Sequence, residues 1–392
     1  MSAAIELFVE EPVARARRLA PMIAAAAPRI EAERHIPDDL LAALHGARLF
    51  RALLPRALGG DEASPLAFVR MMGVLGAPDA STAWCIGQAS GCSAAAAYTP
   101  IDAARAVWSA PNAALAWGAI MPGQTARAVP GGYLVSGAWP FASGGRHATW
   151  FGGHCRIQHP DGTPRLDAGG QPEDRTMLFP ASAVSLNGEW NVMGLRGTGS
   201  DTYTVRDLFV PTAFSVRRDR EEERQPHGQG SLYRFTTTHF YAAGFAGVAL
   251  GIARGLLDAF VALGREKTPA ATSRRLADNP ILQSGLAQAE GQWRAARAGL
   301  HQALAEAEAR PTLGIEDRVS IRLAATFAIH QAKAVADFAY AESGATAIFE
   351  SGPFERRFRD IHAVTQQVQA RKNHFETVGQ HLMGFAPNPR FL

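Results

Sequence analysis

A glycine-bounded segment in the middle of the chain places aromatic and hydroxyl side chains where they could contact a flat ligand. The segment reads GGYLVSGAWPFASGG, with a Gly-Gly turn, an alternating strand, and then Trp139, Phe141 and Ser143 between further glycines. Glycine lets the backbone approach a ligand closely, and a serine hydroxyl can both give and accept a hydrogen bond. An isoalloxazine ring would suit this shape. The alternative is that Trp139 and Phe141 are core aromatics and Ser143 is a turn residue.

A second loop, GLRGTGSDTYTVRDLFVP, is also rich in glycine and hydroxyl residues. Such loops present backbone N–H groups and hydroxyls to a ligand, and Arg196 could add a positive charge. Arg196, Thr198 and Ser200 are therefore candidates for the border of a cofactor or substrate cavity. The same residues could form a β-turn with Gly197 and Gly199 at positive φ, so both interpretations stay open for each side chain.

A third motif, FERRFRDIHAVTQQ, opens a helix near the end of the chain. An acid such as Asp360 near a helix N-terminus stabilises the helix through capping and through the helix dipole. His362 and Gln367 follow it and are candidates for acid–base or hydrogen-bonding roles. A single histidine on a helix is, however, more often a surface or core residue than a catalytic one.

The elements that must position these motifs fall into three zones. Residues 1–112 carry Ala-, Leu- and Arg-rich amphipathic runs that predict an N-terminal helical domain. Residues 113–225 contain short β-rich segments separated by Gly, Pro and Asp turns, which predict a middle β-domain. Residues 226–392 return to long helical periodicity and predict a C-terminal helical bundle. The expected fold class is mainly α with a central β-domain.

Composition excludes several classes of protein. The net charge is only +3, and the arginines are scattered among acids, so nucleic acid is not an expected partner. The longest uncharged apolar stretch, Phe240 to Ala253, is too short to cross a bilayer and indicates a buried helix. The N-terminus has no signal-peptide pattern. We therefore expect a cytoplasmic protein without a membrane or nucleic-acid partner.

Cysteine and histidine spacing gives no sign of a metal site. The 3 cysteines lack CxxC spacing and the 12 histidines include no HExxH motif, so we expect no bound metal. The chain also lacks a GxGxxG fingerprint and a P-loop. Any redox cofactor must therefore be held in another way.

Together with ARLFRALLPRALGGDE and DASTAWCIG, the three motifs resemble the acyl-CoA dehydrogenase family, in the same order and from Ala47 to Gln367. The resemblance implies an N-terminal helical domain, a middle β-barrel-like domain and a C-terminal four-helix bundle around a flavin, FMN or FAD. It implies that Ser143 hydrogen-bonds near the N5 edge of the flavin. It also implies flavin or cavity contacts for Trp139, Phe141, Arg196, Thr198 and Ser200.

The resemblance also bears on the reaction. An acyl-CoA dehydrogenase needs a carboxylate base beside N5, and by resemblance that base would stand near Val368 or near Tyr241, neither of which is an acid. The monooxygenase branch of the family needs a hydrogen-bond donor near N5 and a dry cavity more than a strong base. The implied function is therefore a monooxygenase. It would take reduced flavin from a separate flavin reductase and use O2 to oxygenate a small apolar or aromatic substrate, with Ser143 as the donor.

By resemblance, Arg359 and Asp360 are the family's Arg-Asp pair. Several monooxygenases of this branch carry a histidine after this pair, where this chain has Gln366 and Gln367. Either Gln367 supplies hydrogen bonding without proton transfer, or another group such as His362 does the acid–base work. Two alternatives remain open: a dehydrogenase or oxidase of the acyl-CoA dehydrogenase type, and a non-catalytic ligand-binding protein on the same fold.

The sequence also predicts contacts between subunits. The stretch RRLADNPILQSGLAQAE resembles the one with which related tetramers contact a neighbour's flavin, which makes Arg275 and Gln283 cofactor-binding candidates. The long C-terminal helices need burial, so we expect a homotetramer. Small residues along one helix, Gly247 and Gly251 among them, predict close helix packing.

Overall fold

The computed structural model describes residues 11–167, 169–270, 272–388 and 392. Its first helices are α1 (Pro12–Glu33), α2 (Asp38–Gly46), α3 (Pro65–Gly76), α4 (Ala80–Ser93) and α5 (Ile101–Trp108). Side-chain caps start two of them, because Ser64 accepts from the backbone of α3 and Asp79 accepts from the backbone of α4. Every residue of α4 is buried, so this helix runs through the interior.

The middle of the chain forms a mixed sheet. Its strands are β1 (Leu115–Trp117), β2 (Thr125–Val129), β3 (Gly132–Trp139), β4 (Trp150–Gln158), β5 (Asp174–Pro180), β6 (Ser185–Leu186), β7 (Tyr203–Pro211) and β8 (Ser215–Val216). They lie in the order β6-β7-β3-β2-β4-β5-β8, and β1 pairs with β4. The β1–β4 and β2–β4 pairs are parallel and the remaining pairs are antiparallel. An aromatic cluster fills the sheet's own core: Trp139, Phe151, Phe179 and Tyr203.

Helices return after the sheet as α6 (Thr237–Glu266), α7 (Pro280–Ala309), α8 (Ile315–Glu342), α9 (Glu355–Val364) and α10 (Asn373–Leu382). Helix α6 is central, since it packs on α3, α4, α8 and α9. The predicted fold class is confirmed: helices, then a β-domain, then a helical bundle.

Helix α6 touches α3 almost backbone to backbone. A Cβ added at Gly251 would lie 2.5 Å from the carbonyl oxygen of Gly73, and one added at Gly247 would lie 2.8 Å from that of Val69. Side chains at these positions would therefore force the helices apart. The close packing predicted from the small residues is confirmed.

The uncharged apolar stretch from Phe240 to Ala253 lies inside α6, and the helix continues through Arg254 to Glu266. With 30 residues, α6 is long and apolar enough in composition to cross a membrane. In the structure 67% of its most apolar stretch is buried inside the fold. A helix that is apolar on all sides is expected in the core of a protein of this size, and α6 occupies that place.

Candidate active site

Ser143 lies in a tight turn between β3 and a 3-10 turn at Gly145–His147. Its side chain is buried, with 7% exposure. The hydroxyl is 2.7 Å from the hydroxyl of Ser200 and accepts from the indole Nε1–H of Trp84 at 3.1 Å. Two residues earlier, Phe141 adopts a φ of 66°, a left-handed conformation that is rare for a bulky side chain and that often marks functional sites.

The second predicted loop meets this turn. The hydroxyl of Thr198 donates to the carbonyl of Leu195 at 2.8 Å and lies 2.7 Å from the hydroxyl of Ser200. The backbone N–H of Gly144 donates to the carbonyl of Thr198 at 2.8 Å. Hydroxyls from two separate sequence motifs thus form one buried line, Ser143–Ser200–Thr198, which we call the hydroxyl chain.

Asp360 anchors the end of the hydroxyl chain. Its carboxylate accepts from the backbone N–H of Leu195 at 2.7 Å, and the side chain is 2% exposed. Burial raises the pKa of Asp360 to about 7, against the lowering effect of the Leu195 hydrogen bond. Asp360 is the sixth residue of α9 and lies beyond its first turn, so the helix-capping role expected from the sequence is wrong. The side chain instead holds the loop of the hydroxyl chain through the N–H of Leu195.

Three parallel aromatic rings stand beside the hydroxyl chain, where α4 faces α6. The rings of Trp84 and Phe245 stack with centroids 3.8 Å apart and planes inclined by 9°. Phe245 and Tyr241 stack at 5.5 Å and 7°. Gly91 makes room for the last ring, because a Cβ there would lie 2.5 Å from Cε1 of Tyr241. We call Trp84, Phe245 and Tyr241 the aromatic wall.

The polar groups at the far end of the aromatic wall are neutral. The phenol of Tyr241 lies 3.4 Å from Sγ of Cys92 and 3.4 Å from the carbonyl of Gln88. The amide of Gln88 donates to the carbonyl of Trp117 at 3.2 Å. Burial raises the pKa of Cys92 to about 12 and raises the pKa of Tyr241 as well. A thiol, a phenol and an amide therefore meet here without a formal charge at neutral pH.

An exposed apolar edge lies next to the Ser143 turn. The backbone N–H of Ala119 donates to the carbonyl of Pro140 at 2.8 Å, so the loop after β1 runs beside the loop after β3. The ring of Phe141 meets that of Trp190 edge-on, with centroids 6.2 Å apart. These two loops and the loop that carries Trp190 expose four large apolar side chains: Ile120, Met121, Phe141 and Met193. Grouped apolar exposure of this kind indicates a ligand or subunit contact.

The structure places Trp139 and Arg196 differently from the hydroxyls. The indole of Trp139 is fully buried in the sheet core, where it stacks on Tyr203 and donates to the carbonyl of His154 at 3.0 Å. This is the position expected of a core aromatic, the alternative considered for it. Arg196 donates to the carbonyl of Val192 at 2.9 Å and pairs with Glu31 at 3.1 Å, so its guanidinium ties the loop to α1.

His362 and Gln367 occupy separate surroundings after the Arg-Asp pair. The ring of His362 lies between the carbonyl of Phe358, 2.7 Å from Nδ1, and the carboxylate of Asp337, 3.3 Å from Nε2. Gln367 accepts from the backbone N–H of Gln369 at 2.8 Å. Its amide Nε2 is buried without a hydrogen-bond partner among the described residues. An unpaired buried donor needs an explanation, and a ligand would provide one.

Arg275 and Gln283 lie at the exposed start of α7, away from the buried groups described above. Arg275 pairs with Asp278 at 3.2 Å, and Gln283 donates to the carbonyl of Ala277 at 2.9 Å. Ile281 beside them is 78% exposed. Both candidates therefore sit on a surface that a second subunit could cover.

Three features of the site were not predicted from the sequence: Trp84, Phe245 and the hydrogen bond between Asp360 and Leu195. Trp84 lies inside the motif DASTAWCIG, and its signal was a single large aromatic among small residues in a helix without a polar face. Phe245 lies one helical turn after Tyr241, a spacing that places both rings on the same face of α6. The pairing of Asp360 with Leu195 joins residues 165 positions apart, and no local pattern marks it.

Comparisons with known proteins find relatives along most of the chain. Residues 243–372 match the family model described as acyl-CoA dehydrogenase, C-terminal domain. The chain is 30% identical to the FADH(2)-dependent resorcinol hydroxylase, oxygenase component, of Rhizobium sp. (strain MTP-10005), over 97% of this chain and 95% of that protein. It is 29% identical to an indole-3-acetate monooxygenase of Pseudomonas putida, over 92% and 90% of the two chains.

Among solved structures, XiaF from Streptomyces sp. in complex with FADH2 and glycerol superimposes with a TM-score of 0.87. That comparison covers 97% of each chain at 25% sequence identity. The similarity therefore spans all three zones of the molecule.

Proposed function

This chain belongs to the oxygenase components of two-component flavin-dependent monooxygenases, on the acyl-CoA dehydrogenase fold, and we propose that its reaction takes place between the hydroxyl chain and the aromatic wall. It is a monooxygenase that uses reduced flavin, FMN or FAD, supplied by a separate reductase, together with O2. Its substrate is a small apolar or aromatic molecule. The specific substrate, the site residues and the assembly are the subject of the proposal.

The residues around Ser143 suit a flavin. A flavin has a flat apolar ring with polar atoms along one edge, and the structure offers a matching pair of features. The exposed apolar edge at Ile120, Met121 and Phe141 would pack on the ring, while Ser143 would meet N5. When bound, the reduced flavin activates O2 so that one oxygen atom can be transferred to the substrate.

The aromatic wall is the single observation that carries the substrate assignment. The three parallel rings stack face to face and end in neutral polar groups, and a planar aromatic substrate would extend this stack. The phenol of Tyr241 and the thiol of Cys92 could each hydrogen-bond to a substrate hydroxyl or N–H group. Burial of α4 keeps water away from this surface, which limits loss of activated oxygen as peroxide.

A dehydrogenase is less well supported. Its base must be a carboxylate that accepts an α-proton, but the two family positions carry Tyr241 and Val368. Burial raises the pKa of Tyr241, so the phenol stays protonated at neutral pH and cannot act as that base. The aliphatic side chain of Val368 has no proton to exchange.

We also propose a homotetramer located in the cytoplasm, without a nucleic-acid or membrane partner. The helical bundle exposes large apolar side chains that a second copy could bury: Ile281, Ile348, Phe349, Leu382, Met383 and Phe385. Arg275 and Gln283 lie beside the first of these and are the proposed contacts to a neighbour's flavin. The three cysteines are buried thiols, which suits a reducing compartment. Light scattering that shows a stable monomer still able to bind flavin would contradict the tetramer.

The function is tested by single turnover. Protein and anaerobically reduced flavin are mixed with 18O2 and a panel of phenols and indoles, and labelled product and hydrogen peroxide are measured. We expect one labelled oxygen atom in the product, and no flavin reduction by NADH without a reductase, because the chain has no dinucleotide fingerprint. Anaerobic bleaching of bound oxidised flavin by an acyl-CoA, without labelled product from the panel, would instead identify a dehydrogenase.

A further inference from the structure

A positive charge lies next to the polar end of the aromatic wall. It belongs to Arg218, which follows β8 in the chain. The guanidinium carbon of Arg218 lies 5.1 Å from the centroid of the Trp117 ring, which is a cation–π contact. The carbonyl of Trp117 accepts from the amide of Gln88, one of the groups at that end of the wall. Arg218 therefore stacks on a residue that contacts the wall directly.

The charge of Arg218 acts on the other two polar groups at this end. Burial raises the pKa of Cys92 to about 12 and also raises the pKa of Tyr241. The positive charge of Arg218 lowers both pKa values and so opposes the effect of burial. Because the interaction of two charges weakens with distance, this effect places the guanidinium near the thiol and the phenol.

The contacts of Arg218 leave most of its donors without a partner among the described residues. Nε donates to the hydroxyl of Thr176 at 3.3 Å. The ion pair with Asp219 is long, with 3.9 Å from Nη1 to Oδ2, which exceeds a hydrogen bond. The other oxygen of Asp219 accepts from the backbone N–H and the hydroxyl of Thr237. A guanidinium has five N–H donors, and with the side chain only 21% exposed, water replaces the missing partners incompletely.

Thr176 and His154 hold the guanidinium without neutralising it. The Thr176 hydroxyl also lies 2.8 Å from Nδ1 of His154, whose ring meets that of Trp117 edge-on. Burial lowers the pKa of His154 well below its usual range, and the charge of Arg218 lowers it further. The imidazole is therefore uncharged at neutral pH, and Arg218 provides the positive charge of this group.

We propose that Arg218 selects aromatic substrates that carry a carboxylate on a short side chain. The inference rests on the proposed function, since it requires the substrate ring to lie at the aromatic wall. A carboxylate is planar and has two oxygens, and the guanidinium fork can donate to both. A largely buried charge with few partners is unfavourable, and a bound anion removes this cost whereas a neutral substrate does not.

The test compares ligands that differ only in the charge of the side chain. Indole-3-acetate is compared with indole-3-acetamide and tryptamine, and 4-hydroxyphenylacetate is compared with its amide and with tyramine. Dissociation constants are measured by calorimetry on protein loaded with reduced flavin under anaerobic conditions, so that no turnover occurs. Labelled product is then measured for each ligand after single turnover with 18O2.

We expect wild type to bind the acids roughly ten- to a hundredfold more tightly than the amides, as expected for a hydrogen bond to a charged group. Arg218→Gln should remove most of this preference. Arg218→Lys should keep part of it, because lysine retains the charge without the fork. The matched control is Arg217→Gln, since Arg217 has the same 21% exposure and pairs with Glu223 at 3.4 Å. The control should keep the wild-type preference, and the affinity for reduced flavin should stay unchanged in all three variants.

A salt titration of wild type does not depend on whether the variants fold. Salt screens an ion pair that is partly exposed, so added sodium chloride should weaken binding of the acids and leave binding of the amides unchanged. Equal salt dependence of acid and amide binding would contradict a contact between Arg218 and the carboxylate.

The outcomes separate this inference from the proposed function. Equal affinity of wild type for acids and amides, tighter binding of the amines, or no binding of either acid would overturn the inference. An unchanged preference in Arg218→Gln would also overturn it, as would a loss of flavin affinity in this variant with acid binding unaltered. In each case, labelled product from a neutral phenol or indole would leave the proposed function in place. No labelled product from any phenol or indole would remove the proposed function and this inference together.

Discussion

The indole of Trp84 lies parallel to the ring of Phe245, with 3.8 Å between centroids, while its Nε1–H donates to the hydroxyl of Ser143. One side chain therefore links both α4 and α6 to the hydroxyl chain. The orientation of the Ser143 hydroxyl depends on helix packing as well as on its own turn.

The stack on Trp84 can be tested by Phe245→Leu. We expect the free energy of unfolding to fall by about 1–2 kcal/mol, because a stacked pair and some apolar contact are lost. We also expect more hydrogen peroxide per product, since Trp84 loses the ring that fixes its plane. The matched control is Phe260→Leu, also buried in α6 but packed on Phe338. Equal peroxide release in both variants would show that the stack has no role at the site.

Ser143→Ala should change the reaction of the bound flavin without unfolding the protein. A turn serine contributes about 1 kcal/mol or less to stability, so the variant should fold. Its reduced flavin should react with O2 to give more peroxide and less product, because the N5 edge has lost its hydrogen-bond partner. Ser136→Ala, an exposed serine of β3 that pairs with Asp207, serves as the control. Product yields equal to wild type in Ser143→Ala would show that the residue does not contact the flavin.

Ionisation of Asp360 should make the free energy of unfolding depend on pH near neutrality. Its pKa is raised from 3.8 to about 7, so its proton stabilises the folded state fully below about pH 3.8 and progressively less as the pH rises through 7. Between pH 6 and pH 8 the free energy of unfolding of wild type should therefore fall by about 1.4 kcal/mol relative to that of Asp360→Asn. The amide oxygen of this variant can still accept from Leu195.

Chemical denaturation at several pH values measures this difference for Asp360. Asp39→Asn is the control, because Asp39 is exposed and its pKa is lowered by a hydrogen bond from Arg29. Parallel stability curves for wild type and Asp360→Asn would mean that Asp360 does not titrate in this range.

Gln367→His should add a titrating group to the reaction. The resemblance implies a histidine in this region, and the amide Nε2 of Gln367 is buried without a partner among the described residues. An imidazole has an ordinary pKa near 6.5, so we expect product yield per reduced flavin to acquire a pH transition between about 6 and 7. Comparison with His362→Gln shows whether His362 already supplies such a transition. Identical pH profiles for wild type and Gln367→His would place position 367 outside the chemistry.

The hydroxyl residues were predictable because their chemistry is local. Ser143, Thr198 and Ser200 stand in glycine-rich loops, where hydroxyl side chains commonly hydrogen-bond to nearby groups. Their order in space was not predictable, because the 2.7 Å contact between Ser143 and Ser200 depends on how β3 and β7 pair.

The two tryptophans show when a local sequence pattern predicts the position of a side chain and when it does not. Trp139 lies an even number of residues after Tyr133 and Val135, both buried, so the period of a strand places all three on the inner face of the sheet. Trp84 had no such pattern, since every residue of α4 is buried and the helix has no polar face to orient it. The stack on Phe245 and the hydrogen bond to Ser143 together fix the direction of its indole.

Because Gly91 contacts the ring of Tyr241, substitutions at these two positions are expected to depend on each other during evolution. A Cβ at residue 91 would lie 2.5 Å from the Tyr241 ring, so neither position can grow alone without moving the aromatic wall. Divergence toward a different substrate is therefore expected to alter the two together, with a larger residue at 91 accompanied by a smaller one at 241. A library that randomises both positions at once should yield active variants that stepwise substitution cannot reach.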